Sequence, residues 1–299
     1  MIIPITEGII LKSIKKITAV LLAAFLIAAL FAGCSGAKGE AQITKNTMLI
    51  AYTEECAPFI YTDENGNLAG FDVEIIENVF ETIKNEYKNY VIVQVDEGYV
   101  LNEDTAYTDE NGNEFSAIIM LGGTHKNVGT ANEDVVWSEN IIENNIRTIV
   151  APDSAITSYN NIAGAKVGVV SSVAAAALDM NATIKKSLAS VKEYASAEEA
   201  FAALDSGKIN AVIIDDFSLK AHSAPLSEAS SSVYPVLPSV LDTVEYAFQF
   251  APSNNYSSAF NEAVKEMLSA DYGDGDTLTP IVEKHFGYAD ACVFSVDEK

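Results

Sequence analysis

From Met48 onward, short unbroken apolar runs alternate with stretches in which apolar residues return every three or four positions. The runs "MLIAY", "YVIVQV" (Tyr90 to Val95), "AIIML" (Ala117 to Leu121), "IRTIV" (Ile146 to Val150), "KVGVV" (Lys166 to Val170), "AVIID" and "VEYAFQF" predict strands. Val73, Ile76, Phe80, Ile83 and Tyr87 predict one face of an amphipathic helix, with Asp72 as its N-cap. An Ala-rich helix is predicted from Val173. Ser196 with Glu199 reads as a capping box opening "AEEAFAAL", which ends near Gly207. Phe260, Val264, Met267 and Leu268 mark a further helix, and "TPIVEKHF" the last one. Strand and helix in alternation imply an α/β protein with largely parallel sheets. About 255 residues follow the N-terminal segment, a length that suits two lobes better than one.

Between these elements the heptapeptide "YTDENGN" occurs twice, at Tyr61 to Asn67 and Tyr107 to Asn113. Asn-Gly at the centre of each copy predicts a type I′ hairpin turn, in which both residues take positive φ. A calcium loop is excluded by spacing, because it would place its glycine sixth and a glutamate twelfth. The repeats read as exposed turns rather than a site used twice.

The N-terminus has a different pattern. Lys12, Lys15 and Lys16 precede the apolar run Ile17 to Leu30, and Ala32 and Gly33 lead into Cys34. That order is the layout of a secretory signal peptide, on a run rather short for a committed membrane span. "FAGC" resembles a lipobox, with Cys34 as the lipidated residue, although Phe31 stands where leucine is usual. The alternative is an uncleaved anchor helix. Either way the remainder is expected outside the cytoplasm, on a flexible tether through "SGAKGEAQITKN". Cys56 and Cys292 then remain, either paired as a disulfide or free. The formal charge of −24 repels phosphate backbones and argues against nucleic-acid partners.

The segment "APFIYTDENGNLAGFDVEII" resembles the opening of the family 3 extracellular solute-binding proteins, receptors of polar amino-acid ABC importers. "VVWSENI" (Val135 to Ile141), "GAKVGVV", "SAEEAFAALDSGKINAVIIDD" and "IVEKHFG" (Ile281 to Gly287) resemble later segments of that family, in the same order. The resemblance implies a type II periplasmic-binding-protein fold: two α/β lobes, two crossovers and a ligand cleft between them. It divides the chain into a signal peptide (1–33), lipidated cysteine and tether (34–46), lobe 1 (47–147 with 246–299) and lobe 2 (148–245). It implies a monomeric, lipid-anchored receptor on the outer face of the cell membrane. Its partners would be a small polar solute and an ABC permease, with no cofactor or metal.

The family's ammonium-binding aspartate matches Asp215, at the end of "AVIID", which also fits the general placement of α/β ligand sites. Asp215 is equally placed to cap the next helix, with Asp216 as the other candidate cap. The family's carboxylate-binding arginine has no match. The single arginine, Arg147, stands elsewhere, and counting along the chain puts Lys126, Asn127, Val128 or Ala131 at that position. Lys126 is either a point-charge substitute or an ordinary loop lysine. Cys56 replaces the family's ligand-packing aromatic, just before Pro58 and Phe59. Val173 and Ala174 replace a threonine pair, leaving Ser171 and Ser172 to offer backbone N–H groups to an anion or simply to cap. Glu54 and Glu55 add negative charge. The expected ligand set is therefore Asp215, Glu55, Cys56, Phe59, Lys126 and Ser172, and it favours an amine-rich or cationic solute.

Two rivals use the same scaffold. One is a dehydratase with Glu54 or Glu55 as general acid. The other is a sensor or protein-interaction lipoprotein that has lost solute binding. Catalysis has little else behind it: "GGTHKNVGT" has the wrong spacing for a P-loop, and His125, His222 and His285 lack metal-ligand spacing.

Overall fold

The structure, a computed structural model, describes residues 43–83, 87–101, 103–126, 135–223, 234–252, 256–268, 276–287 and 289–292. Cys34, the leader and most of the tether lie outside them, as do Asn127, Val128 and Ala131. No helix among the described residues is long and apolar enough to cross a membrane.

The chain begins with β1 (Thr47–Tyr52), the hairpin β2 (Tyr61–Thr62) and β3 (Leu68–Ala69), helix α1 (Phe71–Thr82) and β4 (Asn89–Gln94). A second hairpin, β5 (Tyr107–Thr108) and β6 (Glu114–Phe115), precedes β7 (Ile119–Met120) and β8 (Val136–Trp137). Next come β9 (Ile142–Val150), β10 (Lys166–Val170), α2 (Ser172–Met180), α3 (Ala182–Ser187) and β11 (Ser190–Tyr194). The chain continues through α4 (Ala197–Asp205), β12 (Ala211–Asp215), α5 (Asp216–Ser223) and β13 (Asp242–Tyr246). It closes with β14 (Gln249–Phe250), α6 (Tyr256–Leu268) and α7 (Leu278–Phe286).

These strands form two five-stranded sheets of matching plan, ordered β4-β1-β7-β14-β8 and β11-β10-β12-β9-β13. In each sheet three neighbouring strands are parallel and the last two join antiparallel. Every residue of β1 and of β12 is buried, because both faces of a central parallel strand are covered. The α/β fold expected from the alternation is the one observed. The chain passes between the sheets twice, at residues 138–141 and 247–248.

The second passage corrects one expectation. "VEYAFQF" is not a single strand: β13 pairs with β9 in one sheet, and β14 pairs with β7 and β8 in the other. The stretch reads as one strand because its middle, Ala247 and Phe248, is apolar and buried during the crossing.

Two further corrections concern local geometry. The hairpins form as expected, but as three-residue loops rather than type I′ turns. Gly66 and Gly112 take positive φ (83° and 80°), whereas Asn65 and Asn111 do not. The aspartate explains this. Asp63 Oδ1 accepts N–H bonds from Asn65 and Asn67, both at 2.8 Å, and Asp109 repeats the pattern with Asn111 and Asn113. Those bonds close an Asx-type turn that leaves only the glycine left-handed. Asp72, in turn, does not cap α1. The helix starts two residues earlier, with Gly70 at the N-cap, and Asp72 is buried with its side chain turned away to Gly122 and Gly123. The first N–H groups of α1 are satisfied instead by the Pro58 and Phe59 carbonyls, at 2.9 and 3.0 Å. Gly70 makes that approach possible, since a Cβ there would lie 2.3 Å from the Phe59 oxygen.

Candidate functional site

One cavity, of about 810 Å³, opens between the two sheets. Its walls come from six stretches of the chain. Cys56 to Phe59 follow β1. Ser171 and Val173 stand at the start of α2. Asp215, Phe217, Ser218 and Lys220 run from the end of β12 along α5. Lys284 to Gly287 form the end of α7, while Asn144 and Tyr246 enter from β9 and β13. The volume falls within the range usual for small-molecule sites.

Asp215 is the polar centre of this cavity. It is 2% exposed. Its Oδ1 accepts the Ser218 N–H at 3.0 Å, which caps α5, and the Asn144 Nδ2–H at 3.0 Å. Its Oδ2 is buried and has no partner. The two expectations for Asp215 are therefore not exclusive: one oxygen caps the helix and the other is left over. An unpaired buried acceptor costs about 1–3 kcal/mol, so it calls for a donor from outside the chain.

Asn144 was missed from sequence, yet its signal was visible. β9 buries Ile142, Asn144, Ile146 and Thr148 on one face at strand period, so an amide stands among apolar neighbours. Its Oδ1 accepts the Phe217 N–H at 3.3 Å while its Nδ2 serves Asp215, which fixes the carboxylate orientation. Tyr246, also missed, bonds Asn144 through its hydroxyl, and burial pushes that hydroxyl well above its ordinary range. Its ring stacks on Phe59 with centroids 4.8 Å apart. Phe217 and Phe286, tilted by 32° with centroids 4.3 Å apart, complete an aromatic wall. Nothing in linear order links Phe59, Phe217, Tyr246 and Phe286.

Of the expected ligand set, Asp215, Cys56 and Phe59 meet in this cavity. Glu55, Lys126 and Ser172 are not part of its wall. The Glu55 carboxylate accepts from Thr62 Oγ1 and from the Thr62 N–H at 3.1 Å, which hold it on the first hairpin and lower its pKa. Lys126 is half-buried near Glu139 and Glu245, and burial lowers its pKa. Ser172 is the first residue of α2, whose cap is Ser171 Oγ, accepting the Ala174 N–H at 3.3 Å. Arg147 forms a two-point pair with Asp216: Nε to Oδ1, and the second guanidinium nitrogen to Oδ2 at 3.0 Å. Cys56 is exposed and Cys292 half-buried, and no disulfide joins them. Although the residue is exposed, partial desolvation of its thiol, together with Asp72 and Glu54, pushes the Cys56 pKa up.

No protein-family model and no curated protein matches the chain. Solved structures do. A polar amino acid ABC uptake transporter substrate binding protein from Streptococcus thermophilus is similar over 83% of this chain and 89% of its own, at 19% identity and TM-score 0.56. Tv2483 bound to L-arginine is similar over 84% and 95%, at 15% identity and TM-score 0.51. An ABC uptake transporter substrate binding protein from Streptococcus pneumoniae with bound histidine is similar over 83% and 95%, at 20% identity and TM-score 0.50. At these identities the likeness establishes the fold: this chain has the two-lobe architecture of amino-acid ABC transporter substrate-binding proteins.

Proposed function

We propose that the protein is a lipid-anchored extracytoplasmic receptor that binds a small ammonium-bearing solute and delivers it to an ABC permease. The observation that carries this reading is Asp215 Oδ2, a partnerless buried carboxylate oxygen in a cavity walled from both sheets. An ammonium group supplies the missing donor, and a solute touching both walls favours the closed form by its differential affinity. The reading is of a binding protein rather than an enzyme, in keeping with the substrate-binding proteins that share the fold. The two lobes are assigned to either side of the crossings at 138–141 and 247–248, rather than at 147 and 246 as expected from sequence, since β9 and β13 both pair in the second sheet. Cys34 is the assigned anchor.

A thermal-shift panel of amino acids, polyamines and short peptides tests the receptor reading. A solute at 100 times its Kd adds about 2.7 kcal/mol, a rise of roughly 5–10 °C for a chain of this size. A folded protein with a flat panel would favour the protein-interaction alternative. Fatty-acid labelling that persists in Cys34→Ser would remove the anchor assignment.

A further inference from the structure

We infer that Phe217 and Phe286 form an aromatic latch that holds the two halves of the molecule together across the cavity. The inference stands on contacts between side chains and does not depend on the receptor reading above. Phe217 lies in the first turn of α5, which packs on β9 and β12 of the second sheet. Phe286 is the last residue of α7, which packs on α1 and α6 in the other half. Their rings meet in the cavity wall with centroids 4.3 Å apart. Each also touches a ring of the inner pair: Phe217 lies 5.9 Å from Tyr246, and Phe286 lies 5.4 Å from Phe59. Phe59 and Tyr246 stack at 4.8 Å, so the four rings close a cycle with two members from each half. Aromatic pairs at such spacings attract one another beyond the area they bury.

The position of each pair decides its role. Tyr246 directly precedes the crossing at 247–248, so the inner pair is held by the chain itself. The backbone bridges between the halves, Cys292 to Ile142 and His125 to Tyr246, likewise sit next to the crossings. Phe217 and Phe286 stand one ring further out. Contact continues past them: a Cβ on Gly287 would lie 3.6 Å from Lys220 Cγ, which brings α5 against the end of α7. The latch is also tied to Asp215. Asn144 Oδ1 accepts the Phe217 N–H at 3.3 Å and its Nδ2 donates to Asp215 Oδ1 at 3.0 Å, so one side chain positions both the ring and the carboxylate. Halves already held together leave a solute less ordering to do, and apparent affinity rises with the fraction of competent molecules.

Amine cross-linking of the purified full chain, read by mass spectrometry, tests the latch. Lys220 and Lys284 are both exposed, one on each half. Lys284 stands one turn of α7 before Gly287, about 5 Å along the helix, within reach of a short bifunctional ester. Lys166 and Lys192, exposed on neighbouring strands of the second sheet, serve as the control pair. Phe217→Ala is expected to lower the Lys220–Lys284 yield at least threefold and to leave the Lys166–Lys192 yield unchanged. Phe80→Ala, which breaks an aromatic pair with Tyr90 inside one half, should change neither. Phe217→Leu keeps an apolar side chain and should lower the inter-half yield less than alanine does. An unchanged inter-half yield in both Phe217 variants overturns the inference. A fall of both yields in Phe217→Ala, with parent yields in Phe217→Leu, overturns it too, since Phe217 would then hold α5 in its own half rather than join the two.

Discussion

Among the described residues two aspartates are buried, one beside each sheet, and they are used in opposite ways. Asp72, in the first turn of α1, spends Oδ2 on the Gly122 and Gly123 N–H groups at 2.8 and 3.0 Å. It ties the loop after β7 to the helix, and that loop in turn bonds Ala247 at the second passage between sheets. Asp215, at the end of β12, spends one oxygen on α5 and Asn144 and keeps the other unpaired. Burial alone does not mark a binding residue. What separates the two is whether the protein itself supplies the donors.

The largest effect expected from breaking this contrast is at Asp215. Asp215→Asn keeps an acceptor for Ser218 and Asn144 but removes the carboxylate charge. Solute affinity should fall at least 100-fold, about 2.8 kcal/mol at 1.4 kcal/mol per decade, while far-UV circular dichroism stays that of the parent. Unchanged affinity would place the solute elsewhere.

Asp72 should act on stability and its pH dependence. Burial raises its pKa from 3.8 to about 6, outweighing the two N–H bonds that lower it. The folded chain thus holds this proton more tightly than the unfolded chain does. The resulting stabilisation is full below pH 3.8 and is lost as pH rises through about 6, a change of about 3 kcal/mol at 1.36 kcal/mol per pH unit. In Asp72→Asn that part of the pH profile should vanish, as read by denaturant unfolding between pH 4 and 7. A variant whose profile overlays the parent would show that Asp72 does not titrate there.

The smallest effect sharpens the contrast at the neighbouring residue. Arg147→Lys gives up the two-point grip on Asp216, at a site where the arginine side chain is 34% exposed. Stability should drop by no more than about 1 kcal/mol in urea unfolding. Solute affinity should change less than in Asp215→Asn. An equal loss would mean that Asp216, not Asp215, anchors the solute.

Much of the fold was legible in the chain. β10 occupies Lys166–Val170 and β12 Ala211–Asp215, where the apolar runs predicted strands. Phe260, Val264 and Met267 are buried on α6, as their spacing required. Local pattern succeeded there because a central strand or a one-faced helix writes its burial directly into residue order. It failed where partners are distant. The Asp72 side chain has the right chemistry for a cap, yet its donors are fifty residues away. The stretch "VEYAFQF" is rich in apolar residues from end to end, and only pairing shows that it serves two sheets.

The candidate site divides the same way. Asp215 was identifiable from its place at a strand end, and Cys56 and Phe59 from the segment they share. Glu55 and Lys126 were named from their place along the chain, which carries no information about where a side chain turns, and neither lines this cavity. The sequence by itself determined the alternation of strand and helix, the turns of the repeated heptapeptide and the presence of a single arginine. The tertiary structure alone decided that this arginine meets Asp216, that four distant aromatic rings share one wall, and that Asp215 keeps an oxygen to spare. Periodicity is a property of neighbours along the chain. Satisfaction of a buried charge depends on neighbours in space, and those exist only once the two sheets have come together.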